Sequence, residues 1–350
     1  MSLSEELSRP SLPDLGEPQN LPPLFPAGAA PTRPTWEIER AALRRRWETH
    51  LGHPSFGDFD RTPEVIERFE APDYQGTLYR QPTGPDTCQL VLLMEPRAVS
   101  LSPRPGAVIP YYRPDLMAGY DLATHTPVEE RPNVHFGRHL VQQGYVVVCP
   151  EAYPYNTVPE PPEGGTFAWW QAAADQLKAD HPEWTGMGKL TWDTRCATDL
   201  LLSQPDMDAS RTVVMGHSLG GKMAFYAGAL DERLKAVICS DFGIGWDFTN
   251  WSDPWYHGDR IREAGFDLAH HQLLALLAPR SFLLIVGDTD RPESWQYLQE
   301  AQQVYDLYDR RDAVGCFYHA TGHQPTDESI EASYRWLAEQ LGLPDTGYRV

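Results

Sequence analysis

Hydrophobic and polar positions change period along the chain. Up to about residue 33 there is little periodicity, and Pro, Ser and Gly recur. Trp36, Leu43, Trp47 and Leu51 then fall at helical spacing. The pattern predicts a helix over 34–51 with one face packed on the rest of the protein. Pro34 suits its first turn, Glu37 and Glu39 favour its positive end, and Gly52 stops it. From about residue 64 the runs become short and strand-like. VIERFEAP and TLYRQP read as an antiparallel pair, with QLVLLMEP as a third strand. GAVIPYY, YVVVCPEA, TVVMGHS, KAVICSDFG and SFLLIVGD are near-continuous apolar runs, as expected of parallel strands buried on both faces. Helical patterns lie between them at 136–143, 192–203, 219–230 and 295–308. GCFYHA reads as a last strand and 329–341 as a closing amphipathic helix.

Strands alternating with helices predict an α/β fold with a doubly wound, mostly parallel sheet flanked by helices, preceded by an N-terminal helical extension. The expected organisation is an irregular Pro-rich arm over 1–33, a helix packed on the main domain over 34–63, and a catalytic domain over 64–350. Residues 153–191 break the rhythm. They open on YPYNTVPEPPEGG and carry Phe167, Trp169, Trp170, Trp184 and Met187, and read as an aromatic-rich insertion forming one wall of a pocket.

Charge narrows the partners. Forty-nine acidic against 29 basic residues give a net charge of −20, a surface that repels phosphate backbones and anionic lipid. No nucleic acid or membrane partner is expected. Arg44-Arg45-Arg46 reads as a solvated helix face. Five scattered cysteines have no CxxC or Cys/His spacing, which implies neither a disulfide framework nor a zinc site. The amino terminus lacks the apolar core of a signal peptide, and no run reaches membrane-helix length. The expected compartment is cytoplasmic. Oligomeric state is not legible.

The chemistry centres on Gly216-His217-Ser218-Leu219-Gly220-Gly221. G-x-S-x-G alone is a weak signal. Here a buried strand precedes it and a helix rich in small residues follows, the setting in which the motif makes a strained turn that projects a nucleophilic hydroxyl. A serine needs a base oriented by a carboxylate. The loop after SFLLIVGD offers Asp288 and Asp290. Asp288 lies close enough to the strand end to cap the turn, so Asp290 is preferred as the acid. The loop after the last strand offers His319 and His323, and His323, clear of the strand, is the expected base. The oxyanion would take the Leu219 N–H and a second donor from Tyr112, by backbone or hydroxyl. Tyr111, Trp169, Trp170, Trp246, Trp251 and Trp255 are expected pocket residues, an aromatic wall for an apolar or sugar-ring substrate. No metal or organic cofactor is implied.

These segments resemble the α/β-hydrolase superfamily: the GHSLGG turn, the LIVGDTD loop and the TGHQP loop. WDTRCATDLL, ALDERLKAVICSD and LLALLAPRSFLLIVGDTD are similar to its dienelactone hydrolase-like and acetyl xylan esterase-like branch, over roughly residues 64–342. The resemblance implies a serine esterase acting on a small-molecule ester. Dienelactone hydrolase itself uses cysteine where this chain has Ser218, so lactone chemistry is not implied. The usual His-Gly after the oxyanion strand is Tyr111-Tyr112 here. The alternatives are an amidase or peptidase with the same triad, a catalytically silent hydrolase fold used for binding, and cofactor-free lyase or haloperoxidase chemistry.

Overall fold

The computed structural model describes residues 2–12, 21–97 and 101–350. Nine strands form one sheet: β1 (Glu64–Glu70), β2 (Tyr74–Pro82), β3 (Cys88–Pro96), β4 (Arg104–Val108), β5 (Val146–Pro150), β6 (Met207–His217), β7 (Ala236–Ser240), β8 (Ser281–Val286) and β9 (Val314–Tyr318). Their order across the sheet is β1-β2-β3-β5-β4-β6-β7-β8-β9. The first three strands and the β3–β5 pair are antiparallel; from β5 onward every neighbouring pair is parallel. β4, β5, β7 and β8 are buried at every position, which is why, polar end residues such as Arg104 aside, they read as apolar runs rather than alternating ones. The chain reverses direction of winding at β4, the switch point where open α/β sheets gather their sites beyond the strand carboxyl ends.

The main helices are α1 (Leu3–Leu7), α2 (Arg33–Leu51), α3 (Phe136–Gln142), α4 (Gly165–Asp180), α5 (Gly186–Leu202), α6 (Leu219–Leu230), α7 (His270–Leu277), α8 (Ser294–Asp306) and α9 (Asp327–Leu341), with further short helices at Pro114–Ala118 and Pro154–Thr157. α2 buries the four residues its periodicity singled out, Trp36, Leu43, Trp47 and Leu51. Trp47 stacks on His270 of α7 at 6.1 Å. Gly52, at φ +70°, ends the helix.

Part of the expected irregular arm is ordered. Leu3–Leu7 is helical because Ser2 and Glu5 form a reciprocal capping box, Leu7 is buried, and Ser4 hydrogen-bonds Glu339 of α9. Residues 13–20 of that arm lie outside the described residues. The segment 153–191 carries α4, which its Pro and Gly clusters concealed. α5 begins at Gly186, six residues before the expected start. Its glycines are weak helix formers, yet a Cβ at Gly186 would sit 2.3 Å from Trp255 O and one at Gly188 2.4 Å from Leu51 O. Close backbone packing overrides propensity there.

Arg280, in the Ala-Pro-Arg run before β8, closes the far end of α6. Its guanidinium donates to the carbonyls of Gly228, Ala229, Asp231 and Leu234, the orphan acceptors of that helix end and the turn after it. Among the described residues no helix is long and apolar enough to cross a membrane.

Candidate active site

Ser218 occupies the turn between β6 and α6 at φ 56°, ψ −117°, a conformation that a non-glycine residue holds only under constraint. The constraint is visible. Its N–H donates to Ser240 O at 2.8 Å, continuing the β6–β7 ladder, and its carbonyl accepts from Lys222 N–H. The flanking glycines are sterically required. A Cβ at Gly216 would meet Gly220 O at 2.1 Å, and one at Gly220 would meet Pro110 O at 2.2 Å. The result is a hydroxyl standing at the carboxyl edge of the sheet, at the amino end of α6.

His323, in the loop after β9, brings Nε2 to 2.9 Å from Ser218 Oγ. Its Nδ1 lies 2.5 Å from Asp241 Oδ2. Asp241 follows β7 directly, at φ 46°. Its side chain is fully buried. Its other oxygen accepts the N–H groups of Gly287, Thr289 and Asp290 at 3.2, 2.9 and 2.7 Å. Burial alone would push this carboxyl up; the hydrogen bond from His323 and the Asp290 N–H outweigh it and hold Asp241 below the usual carboxylate range. A buried, ionised carboxylate on Nδ1 favours the tautomer with its proton there, leaving Nε2 able to accept the Ser218 hydrogen bond.

The expected acid, Asp290, does not reach the imidazole. It is fully buried, and its carboxylate accepts from Phe242 N–H and Gly243 N–H at 2.9 Å each, from Ile244 N–H at 2.7 Å and from Ser294 Oγ at 2.8 Å. Every lone-pair direction is occupied by the loop after β7 and the start of α8. Asp241 and Asp290 thus exchange anchors: each strand-end carboxylate ties down the other strand's loop. Asp288, the rejected alternative, lies 3.7 Å from His323 Nδ1 and is 59% exposed. His319 turns its Nδ1 to Thr321 at 2.9 Å. Asp241 was missed because the acid was sought only after β8, although Asp241 also sits at a strand's carboxyl end between Ser218 and His323 in the sequence.

A cavity of about 310 Å³ opens over Ser218 and His323. Leu219, the first residue of α6, lines it, and first-turn N–H groups of a helix lack intrahelical acceptors. Tyr112 lines it too, and burial pushes its phenol's pKa up. Its backbone carbonyl accepts from Ala152 N–H at 3.2 Å. Of the expected aromatic wall, Trp170 and Trp255 line the cavity, edge to face at 5.7 Å, and Phe167 stacks on Trp255 at 5.8 Å while remaining 70% exposed.

The other four aromatic residues do not line the cavity. Tyr111 is buried against Gly220 of the nucleophile turn. Trp169 stands behind the wall, donating to Val158 O at 2.8 Å. Trp246 donates to Leu268 O at 2.8 Å within the α2–α7 packing, and Trp251 to Gly243 O at 2.7 Å beneath the site. Their indole N–H groups need buried acceptors, and the neighbouring loops supply them.

The opposite side of the cavity is polar and went unnoticed in the sequence. Lys222, one turn beyond Ser218, is buried with Nζ on Thr249 Oγ1 at 2.8 Å and Asn250 Oδ1 at 3.0 Å. The rings of Tyr256 and Trp251 flank the ammonium at 4.2 and 4.3 Å. Burial pushes Lys222 down to about 7, with Asp253 and Asp290 pulling the other way. Lys222, Thr249, Asn250 and Thr166 all line the cavity. Among the described residues, the one group of three potential metal ligands is Asp241, Asp288 and His323, which is the charge-bearing half of the site itself.

The dienelactone hydrolase family profile matches residues 129–243, from α3 through the nucleophile turn to Asp241. Carbohydrate esterase MZ0003, from an unknown prokaryotic organism, is 26% identical over 193 residues, 49% of this chain and 38% of that protein. 4-O-methyl-glucuronoyl methylesterase 1 of Sodiomyces alcalophilus is 30% identical over 122 residues, 27% of this chain and 24% of that protein. The chain thus spans well under half the length of these relatives. In overall fold it is similar to a glucuronoyl esterase from Solibacter usitatus, with TM-score 0.68, 17% identity and coverage of 95% of this chain and 99% of the other. Sheet order, nucleophile turn and sequence match point the same way: residues 129–243 match the dienelactone hydrolase family model, and the chain shares its overall fold with a glucuronoyl esterase.

Proposed function

We propose that the protein is a serine carboxylic ester hydrolase that forms an acyl-enzyme on Ser218, with a sugar as one half of its ester. The single observation that carries the reading is the hydrogen-bonded line from Ser218 Oγ through His323 to Asp241, 2.9 and 2.5 Å long, at the mouth of one cavity. His323 takes the Ser218 proton as the hydroxyl attacks the ester carbonyl, then returns it to the leaving alcohol. Water repeats the cycle and releases the acid. The Leu219 N–H and the Tyr112 hydroxyl stabilise the oxyanion. The relatives named as carbohydrate esterase and glucuronoyl methylesterase support ester chemistry.

The cavity supports a sugar on the Lys222 side. A buried ammonium with Thr249, Asn250 and Thr166 presents donors and acceptors for ring hydroxyls, and Trp170 and Trp255 present aromatic faces to a sugar ring. Purified protein offered a uronic acid methyl ester, an acetylated xylose and the amide matched to each tests this directly. Turnover of at least one sugar ester, lost in Ser218→Ala, is the expected result. Hydrolysis of the amides alone would transfer the site to the amidase reading, and no Ser218-dependent turnover or labelling would leave a binding role.

A further inference from the structure

His323 is only partly packed: the His217 ring lies 4.8 Å away on one side, the side chain is 42% exposed, and hydrogen bonds set the ring's alignment with Ser218. Its Nδ1 edge meets more than the Asp241 carboxylate. Thr289 Oγ1 lies 2.9 Å from Nδ1, against 2.5 Å for Asp241 Oδ2. The same hydroxyl lies 3.4 Å from Asp288 Oδ1, which is itself 3.7 Å from Nδ1. A hydroxyl can accept one hydrogen bond while donating its own proton to a carboxylate. Thr289 also donates its backbone N–H to Asp241 Oδ1 at 2.9 Å, so one residue touches both acids and the base.

Resting on the Ser218 acyl-enzyme reading above, we propose that Thr289 is a positioning residue for His323. Its hydroxyl takes a share of the Nδ1–H and passes its own hydrogen to Asp288, giving the half-exposed imidazole a second anchor. Asp241 reaches the ring from the end of β7 and the Thr289–Asp288 arm from the end of β8, so the ring is gripped from two adjacent strands. That grip matters most when the imidazole carries two protons and a single bond would let it swing outward. Asp288 is exposed and its charge screened, so the arm contributes orientation rather than field. This function reconciles two features of the loop: its carboxylate at 288 was too close to the strand to be the principal acid, yet it faces the base.

The test uses the full-length protein, a fluorophosphonate probe and p-nitrophenyl acetate. Thr289→Val keeps the branched shape and the backbone N–H to Asp241 but removes the hydroxyl; Thr289→Ser restores the hydroxyl; Thr289→Ala removes it without filling the space, should the valine disturb the loop. Loss of alignment predicts that Val and Ala lower both the labelling rate and kcat about tenfold with KM little changed, and that Ser stays within about threefold of wild type. Added to Asp288→Asn, Thr289→Val should cost little more, because both substitutions cut the same arm. Wild-type labelling by Thr289→Val and Thr289→Ala, equal damage by all three, or full additivity with Asp288→Asn would overturn the role while leaving the triad intact. Turnover by Ser218→Ala at the wild-type rate would remove the acyl-enzyme reading and this one with it.

Discussion

At the scale of single residues, the two carboxylates 241 and 290 divide the work that one was expected to do. Asp241 hydrogen-bonds His323, the proposed base; Asp290 holds the loop after β7 through three backbone N–H groups. Their substitutions should therefore fail differently. Asp290→Asn turns an NH₂ toward at least one of those amides and leaves buried donors unpaired, which predicts a stability loss of about 1–3 kcal/mol with kcat preserved below the new melting point. Melting curves alongside kcat measure both. A kcat collapse without a melting shift would put Asp290 back in the chemistry. Lys222 makes a second residue-scale prediction. Its pKa is depressed by burial to about 7, so it loses its proton as pH rises through neutrality. KM for the sugar ester should rise across that window, and Lys222→Met should show a high, flat KM; a wild-type KM indifferent to pH would contradict the role. Ser218 and His323 were legible because a glycine-flanked turn and a loop beyond the last strand leave few places for them. Lys222 was not, since a lysine amid LGGKMAFYAGAL looks like any solvated helix position until Thr249 and Asn250 are seen to close over it.

At the scale of elements, the buried parallel strands and the nucleophile turn were legible because burial on both faces and a sharp turn each restrict composition severely. α4 and the start of α5 were not. Prolines and glycines just before α4 hide its start, and the glycines that open α5 spell loop locally; contact with Trp255 and Leu51 explains why helix wins in α5. The turn gives the sharpest test at this scale. Gly220→Ala forces a Cβ to within 2.2 Å of Pro110 O, so the turn after β4 must move away from α6. Soluble expression or activity should be lost, whereas Ala at Gly322, whose Cβ would meet nothing within 4 Å, should cost only the strain of its positive φ. Comparable behaviour of the two variants, read by melting temperature and labelling, would mean the turn is looser than drawn. α4 places the exposed Phe167 beside Trp255 at the cavity mouth, a position that propensity could not reveal because the helix itself was hidden.

At the scale of the whole molecule, α2 is tied to α6 and α7 through a largely buried hydrogen-bonded line. His50 Nε2 meets His257 Nδ1 at 2.9 Å, His257 Nε2 meets Tyr226 at 3.0 Å, and Tyr226 meets His270 at 2.7 Å. Burial lowers His50 to about 4 and His270 to about 3, so both are neutral in the fold at pH 6.5. The unfolded chain binds those protons first. Stability is therefore fully present above the ordinary histidine range and drains away as pH falls from 6.5 toward about 4. Thermal melts across that interval should show a steep fall in Tm; a flat profile would contradict the buried neutral line. The net charge of −20 was plain from composition and speaks to partners. The histidine line was not, because its members come from four separate elements and each alone resembles a packed core residue.

The most direct measurement is the rate at which a fluorophosphonate labels the native protein, followed by intact mass and located by peptide mapping. The triad drawn here predicts one label per chain, on Ser218, with Asp241→Asn slowed by roughly 10³–10⁴-fold and Asp290→Asn unchanged at a temperature where it remains folded. A slow Asp290→Asn beside an unimpaired Asp241→Asn, or a label that falls elsewhere, would contradict it.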